Sequence, residues 1–252
     1  KELNTTVSIN GLYVKPFKSI VLEDLLVLDL EKDTLLNTPK FIVDINIFSL
    51  KDRILNVNTV QINDGNIYLK ELKDSSSNID FIINYFDSGT PDTTKQKRPF
   101  LISFDRVILN NLNFRYKNFK FPDTIKYGVN FEDINVSALN GIFEDLNTKN
   151  HLFKTTIKNL NFKEKSGFVL KNLSAHTTID SNALELKNLL LETNNSKLSD
   201  YLKFNFTSFK DFNDFVNKVR MKANFREAHI ASKDIAYFAP QLSKMKLDLD
   251  VD

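Results

Sequence analysis

The chain has 252 residues, which is enough for one large domain or two small ones. Its 34 Lys and Arg residues nearly balance its 32 Asp and Glu residues, so no charge excess favours nucleic acid or an anionic surface. Cysteine is absent, which excludes disulfides, thiolate nucleophiles and Cys-ligated zinc. No run of about 18 apolar residues occurs, so we expect any membrane anchor to lie outside these residues.

Alternating apolar and polar residues predict β-strands along most of the chain. Phe occurs 22 times, Trp is absent and Met occurs twice, and this balance also favours strands. The alternation at 247–252 predicts a strand still in progress, so we interpret the chain as part of a longer protein. The clearest alternating runs are at 41–47, 100–104, 112–116, 173–179 and 221–225.

Turns are expected to use Asn, because the chain has 30 Asn but only 6 Gly and 6 Pro. The sequence Asn-Asp-Gly-Asn at 63–66 predicts a β-hairpin, and Asn182-Ala183 gives a second hairpin signal. Apolar spacing predicts three short helices at 79–86, 209–219 and 234–238, which could plug or cap a sheet. The last has Ser232 as its expected N-cap and Pro240 as its stop.

A degenerate repeat consists of an acidic residue or Asn, then Leu or Ile, then any residue, then an apolar residue. Its last five copies start 22, 26, 13 and 16 residues apart, which predicts successive strands of a meander with one copy near the start of each strand. The copies begin at Asp24, Asn111, Asp133, Asn159, Asn172 and Asn188.

Residues that could carry chemistry are scattered. His151, His176 and His229 show no metal-ligand spacing, and adjacent acidic pairs point to opposite faces of a strand. Phosphate-cradle and nucleophile-elbow motifs do not occur. We therefore expect no enzyme activity, no catalytic residue, no metal and no cofactor.

Several stretches resemble a known family of envelope proteins. Residues 21–25, 33–36, 41–45, 49–50 and 55–69 resemble the opening of AsmA-like proteins. Three further stretches are similar to the N-terminal part of Bacteroidetes-type TamB proteins: 160–168, 189–193 with 196–198, and Asp-Ile-Ala-Tyr-Phe-Ala-Pro at 234–240.

This resemblance implies a mainly β protein whose long, curved antiparallel sheet forms an open U-shaped hydrophobic groove, with a few short helices. It implies a periplasmic lipid-transfer protein, anchored in the inner membrane, that shields phospholipid acyl chains between the two membranes. An Omp85-type outer-membrane barrel would bind through regions outside these residues. A β-sandwich-type binding or scaffold module of the cell envelope stays open as the alternative, because alternation alone does not distinguish the two.

The expected organisation is an AsmA-like β region at 1–87, a linker at 88–99 rich in turn and charged residues, and a β-groove region at 100–252. The repeat positions are expected to share one apolar face. The residues expected to line the lipid groove are Leu112, Phe114, Ile134, Val136, Leu160, Phe162, Leu173, Ala175, Leu189 and Leu191.

Overall fold

A computed structural model describes residues 5–15, 19–49, 51–52, 54–86, 101–122, 127–147, 152–239 and 248–251. The chain divides into two compact units, Lys1–Pro122 and Asp123–Asp252. Each unit is built around a many-stranded sheet with short helices, which confirms the mainly β fold class. The linker expected at 88–99 lies outside the described residues.

In the first unit, the described strands form one sheet around β3 and β4. β1 and β2 pair with β3, and β3 pairs with β4. β4 pairs with both β5 and β6, and β7 pairs with both of them on their other side. All of these pairs are antiparallel except those of β7, which runs parallel to β5 and β6. The elements are β1 (Val7–Ser8), β2 (Gly11–Lys15), β3 (Ser19–Leu28), β4 (Thr34–Ser49), β5 (Ile54–Asn63), β6 (Asn66–Glu71), α1 (Asp80–Phe86) and β7 (Leu101–Asn118).

The hairpin expected at 63–66 is wrong. β5 and β6 do not pair with each other; instead both pair with β4 in one register, since Lys40 lies opposite Asn63 and Asn37 lies opposite Asn66. They form one long strand that is kinked at Asp64, whose φ is 52°. Gly65 allows the kink to approach β4, because a Cβ there would lie 2.7 Å from the carbonyl oxygen of Asn37.

The kinks of neighbouring strands in this unit lie level with one another. Asp24, Asp64 and Asn111 all adopt left-handed backbone conformations inside the sheet, with φ of 49°, 52° and 52°. The strand registers place Asp24 opposite Pro39, Pro39 opposite Asp64, and Asp64 beside Asn111. Three backbone kinks and Pro39 therefore form one line across the sheet.

The second unit contains an antiparallel meander, in which each strand from β8 to β12 pairs with the next. β13 and β14 both pair with β12, and β15 pairs with β14. A 3-10 helix at Phe209–Asp214 leads into α2 (Phe215–Lys218), and α3 (Ser232–Phe238) follows β14. The strands are β8 (Asp133–Asn147), β9 (Phe153–Glu164), β10 (Val169–Ile179), β11 (Ala183–Thr193), β12 (Lys197–Asn205), β13 (Arg220–Asn224), β14 (Ala228–Ala231) and β15 (Asp248–Val251).

Four of the six copies of the repeat, those at Asp24, Asn111, Asn159 and Asn188, mark kinks within strands. Asn159 and Asn188 have φ of 54° and 51° and sit where the registers of β9 with β10 and of β11 with β12 shift by one residue. Such bulges bend a strand and increase its twist. The prediction that copies fall in successive strands is confirmed for β9, β10 and β11. The prediction that each copy lies near the start of its strand is wrong for Asp24, Asn111, Asn159 and Asn188, which lie in mid-strand.

The expected helices are confirmed with small changes of boundary. The first begins at Asp80, and the second is split into the 3-10 helix and α2. The third begins at Ser232, so its N-cap is Ala231 rather than Ser232, and the stop expected at Pro240 lies outside the described residues. The Asn182-Ala183 signal is confirmed, because Ile179 of β10 pairs with Leu184 of β11 across that turn.

The left-handed conformation of Asn188 predicts a clear ranking of substitutions. We expect Asn188→Val to lower the free energy of unfolding by about 1–2 kcal/mol, because a β-branched side chain is strained at positive φ. Asn188→Gly should change it by less than about 0.5 kcal/mol. Urea titration followed by circular dichroism would measure both, and equal destabilisation by Val and Gly would contradict the assignment.

Candidate functional site

In the first unit, rows of apolar side chains run across the strands on one side of the kinks. Directly opposed residues share a face of the sheet, and the register aligns Leu22, Phe41, Ile62 and Leu109. A second row, beyond the kinks, includes the predicted residue Phe114. It consists of Val27, Leu36, Ile67 and Phe114.

The residues next to these rows point to the other face of the sheet and are mainly polar. Asn66 donates to Asn37 at 2.8 Å, and Asn113 donates to Asn66 at 2.9 Å, so three amides form a ladder across β4, β6 and β7. On the same strands, the Arg115 guanidinium lies 4.9 Å from the ring centre of Tyr68. The first unit therefore presents one apolar face and an opposite face that carries this polar ladder together with the buried Val21 and Leu35.

The second unit repeats this arrangement with one row of four residues and one of five. On one side of its kinks, four leucines oppose one another across β9 to β12: Leu160, Leu173, Leu191 and Leu198. On the other side, the row spans β9 to β13 and consists of Phe153, Ile179, Leu184, Phe204 and Met221. Both rows contact one buried cluster of Ala175, Leu186, Leu189 and Leu202.

A kink changes the spacing of the apolar residues along a strand. Leu186 and Leu189 belong to the same buried cluster although three residues separate them, because Asn188 uses one residue in its left-handed turn. Leu109 and Leu112 flank Asn111 with the same three-residue step. At these two copies of the repeat, the Leu that follows the Asn is therefore where the apolar face resumes beyond the kink.

The ten residues expected to line a groove all lie in strands, two in the first unit and eight in the second. In the second unit, Leu160, Leu173 and Leu191 belong to one row, and Phe162 lies two residues along β9 from Leu160. Their exposure falls into two classes. Leu112, Val136, Ala175 and Leu189 are buried, whereas Phe114, Ile134, Leu160, Phe162, Leu173 and Leu191 are half-buried.

Aromatic rings from the helical segments cover part of the apolar face in the second unit. The ring of Phe212 in the 3-10 helix lies 5.9 Å from Phe204 of β12 and 6.0 Å from Phe131, which precedes β8. Phe131 also contacts Phe238 of α3 at 6.4 Å, and Phe238 contacts Phe168 at 5.0 Å. Rings thus continue from one end of the strands to the other.

α3 is attached to the β11–β12 turn through a buried carboxylate. Asp234 is 7% exposed and accepts hydrogen bonds from the Ser196 hydroxyl at 2.6 Å, from the Asn195 amide at 2.9 Å and from the Thr193 hydroxyl. Burial raises the pKa of Asp234, but these hydrogen bonds outweigh burial and hold the pKa below its usual value. The carboxylate is therefore ionised near neutral pH and fixes the start of α3.

Three carboxylates converge in the first unit, from Asp29, Glu31 and Asp33. Such a set could hold a cation, but the ammonium group of Lys70 already occupies their centre. Lys70 is 3% exposed, with Nζ 2.9 Å from Asp29 and 3.5 Å from Glu31, and it also pairs with Asp33. Asn78 donates to Asp29 at 3.2 Å. The cluster joins the β3–β4 turn to β6 as an internal ion pair.

Three features of the two units were not predicted from the sequence. Leu198, Leu202 and Phe204 of β12 extend the apolar face, and their alternation is visible in the sequence. The contact between Phe131 and Phe212 joins residues 81 positions apart, and the pairing of Lys70 with Asp29 joins residues 41 apart. No local pattern indicates either contact.

The chain matches no protein-family model and no curated protein. Among the helices that the structure describes, none is both long and apolar enough to cross a membrane.

Removing the buried ammonium should destabilise the first unit. We expect Lys70→Met to lower the free energy of unfolding by about 2–4 kcal/mol, because Asp29 is left buried without its counter-charge. Lys73→Met changes an exposed lysine on the following turn and should alter it by less than about 0.5 kcal/mol. Urea unfolding at pH 7 compares the two, and equal losses would contradict the role of Lys70.

The same pair predicts a pH dependence. Burial raises the pKa of Asp29. Hydrogen bonds from Lys70, Asn78 and the Asp33 backbone lower the pKa by more than burial raises it, so the pKa of Asp29 in the folded protein lies below its usual value. The stabilisation is therefore fully present above about pH 4, the ordinary range of Asp, and is lost as the pH falls through the folded value. The stability difference between the wild type and Lys70→Met should shrink below about pH 4; a constant difference would contradict this.

Proposed function

We propose that this chain is part of a periplasmic lipid-transfer protein whose apolar sheet faces shield phospholipid acyl chains between the inner and outer membranes. The observation that carries the proposal is the continuity of the apolar rows. In each unit they run across at least four neighbouring strands, and most of their members are half-buried rather than buried. A surface of this kind has the extent and the partial exposure that an acyl chain requires.

The chemistry of the faces supports a lipid more than a compact polar ligand. Each methylene group of an acyl chain gains about 0.8 kcal/mol when it leaves water, so a long apolar row provides affinity without a specific pocket. The asparagine ladder on the opposite face of the first unit keeps that side hydrated. The lipid headgroup could then stay in water while its acyl chain lies on the apolar rows.

The alternative is a binding or scaffold module in which the same faces would be packed against a second sheet. Within the described residues, the strands of each unit all belong to one sheet, which favours the lipid surface. The ring contacts of Phe131, Phe212 and Phe238 favour the alternative locally, because they close part of the apolar face in the second unit.

The partners follow from the resemblance to AsmA-like and TamB proteins rather than from these residues. We propose that an anchor in the inner membrane and contact with an Omp85-type barrel lie in other parts of a longer protein. The chain described here would supply the section that carries acyl chains.

Site-specific photo-crosslinking tests the proposal. We expect a benzophenone side chain at Phe114 or Leu173, on the apolar faces, to capture phospholipid when the protein is expressed in a bacterial periplasm. The same probe at the neighbouring positions Arg115 and Asn172 should not, because neighbours in a strand point to opposite faces. Mass spectrometry of the adducts identifies the lipid.

The paired positions serve as matched controls, since each pair differs by one step along a strand. Equal lipid adducts at both members of each pair would indicate nonspecific adhesion and overturn the proposal. Adducts at neither member, with no phospholipid in organic extracts of the purified protein, would favour the scaffold alternative.

A further inference from the structure

Three rings form a bridge over the apolar face of the second unit. We define the aromatic bridge as Phe131, Phe212 and Phe238. At one end Phe212 contacts Phe204 and Phe206, with ring centres 5.9 Å and 5.2 Å apart, near the end of β12. At the other end Phe238 contacts the ring of Phe168, which leads into β10. Phe168 in turn lies 6.2 Å from the predicted groove residue Phe162.

The bridge belongs to segments that are held to the sheet mainly by side chains. α2 has no buried residue, and its Val216 is 47% exposed. The 3-10 helix keeps Phe209 56% exposed. α3 is fixed at its start by Asp234 and receives one backbone hydrogen bond at its end, from Val129 to Tyr237 at 2.8 Å. α3 also buries Ala236, which is 2% exposed. The helical segments are not themselves paired as strands, so their displacement would break no strand ladder.

The aromatic bridge and an acyl chain would pack against the same apolar surface. The apolar rows require an apolar partner, and either phenylalanine rings or methylene groups provide one. Exchange of one for the other keeps the face out of water, so the energetic cost of displacing the rings is offset by the chain that replaces them. A cover of this kind reduces the apparent affinity of the face for lipid in proportion to the fraction of molecules in which the cover is open.

We infer that the aromatic bridge is a displaceable cover, which occupies the acyl-chain surface of the second unit when no lipid is bound and moves aside when lipid enters. The inference rests on the proposed function, since it concerns regulation of the same surface. Asp234 is the positioning residue of the cover: it holds the α3 end in place and does not contact the apolar rows through its carboxylate.

The test measures lipid extraction by the whole chain. Phosphatidylcholine vesicles that contain a self-quenched fluorescent phosphatidylcholine report extraction as a gain in fluorescence. We expect Phe131→Ala, which removes the centre of the bridge, and Asp234→Asn, which weakens the attachment of α3, each to raise the initial rate several-fold. Phe119→Ala is the matched control, because it removes a half-exposed ring from the first unit and should leave the rate unchanged.

The outcomes separate the cover from the function. If the wild type extracts lipid and both variants extract it no faster, the bridge is part of the core and the cover is overturned while the proposed function stands. If neither the wild type nor any variant extracts lipid, the proposed function fails and the cover fails with it. Should Phe131→Ala not fold, Phe131→Leu keeps an apolar side chain without the ring contacts and, with Asp234→Asn, decides between these outcomes.

A benzophenone side chain at Leu173 tests whether the additional lipid binds at the apolar rows of the second unit. Faster extraction by Asp234→Asn should be accompanied by more lipid adduct at Leu173 than in the wild type. More extraction with unchanged capture at Leu173 would mean that lipid binds elsewhere, and would overturn the cover.

Discussion

Left-handed residues at the kinks, such as Asn188, allow the apolar faces of both units to continue along bent strands. In an ordinary strand, every second side chain points to the same face of the sheet. An extra residue at a kink therefore shifts this alternation by one position, and the apolar residues beyond the kink must be spaced accordingly to stay on the same face. A residue such as Asn188, with φ of 51°, uses one extra position and allows the apolar face to resume three residues on. Because Asp24, Asp64 and Asn111 lie level across the first unit, the strands change direction together and keep their registers.

Two buried polar centres attach the non-strand segments to these sheets. Lys70 joins a carboxylate-rich turn to β6, and Asp234 joins α3 to the turn between β11 and β12. In both cases one charged group satisfies several partners at once, which compensates for the cost of burying it. The two centres differ in what they hold: the first stabilises the sheet itself, whereas the second positions the aromatic side chains of a helix over an apolar face.

This difference bears on function. The rows of the first unit, such as Leu22, Phe41, Ile62 and Leu109, are aligned by the pairing of four strands. The rows of the second unit are bridged by phenylalanines from its helical segments. A protein that carries acyl chains must exclude water from its apolar surface when empty as well as when loaded, and an aromatic cover is one physical means of doing so.

The sequence by itself determined the fold class, most strands and the copies of the repeat, because these depend on local alternation and on the tolerance of Asn for positive φ. It could not assign residues 63–66, since Asp-Gly suits both a hairpin turn and a kink; only the pairing of β5 and β6 with β4 decided between them. It placed Leu160, Leu173 and Leu191 in successive strands, but the row they form depends on registers set by long-range pairing. The tertiary structure alone decided the parallel arrangement of β7, the centre around Lys70 and the contact of Phe131 with Phe212, because each joins residues far apart in the chain and leaves no periodic signal between them.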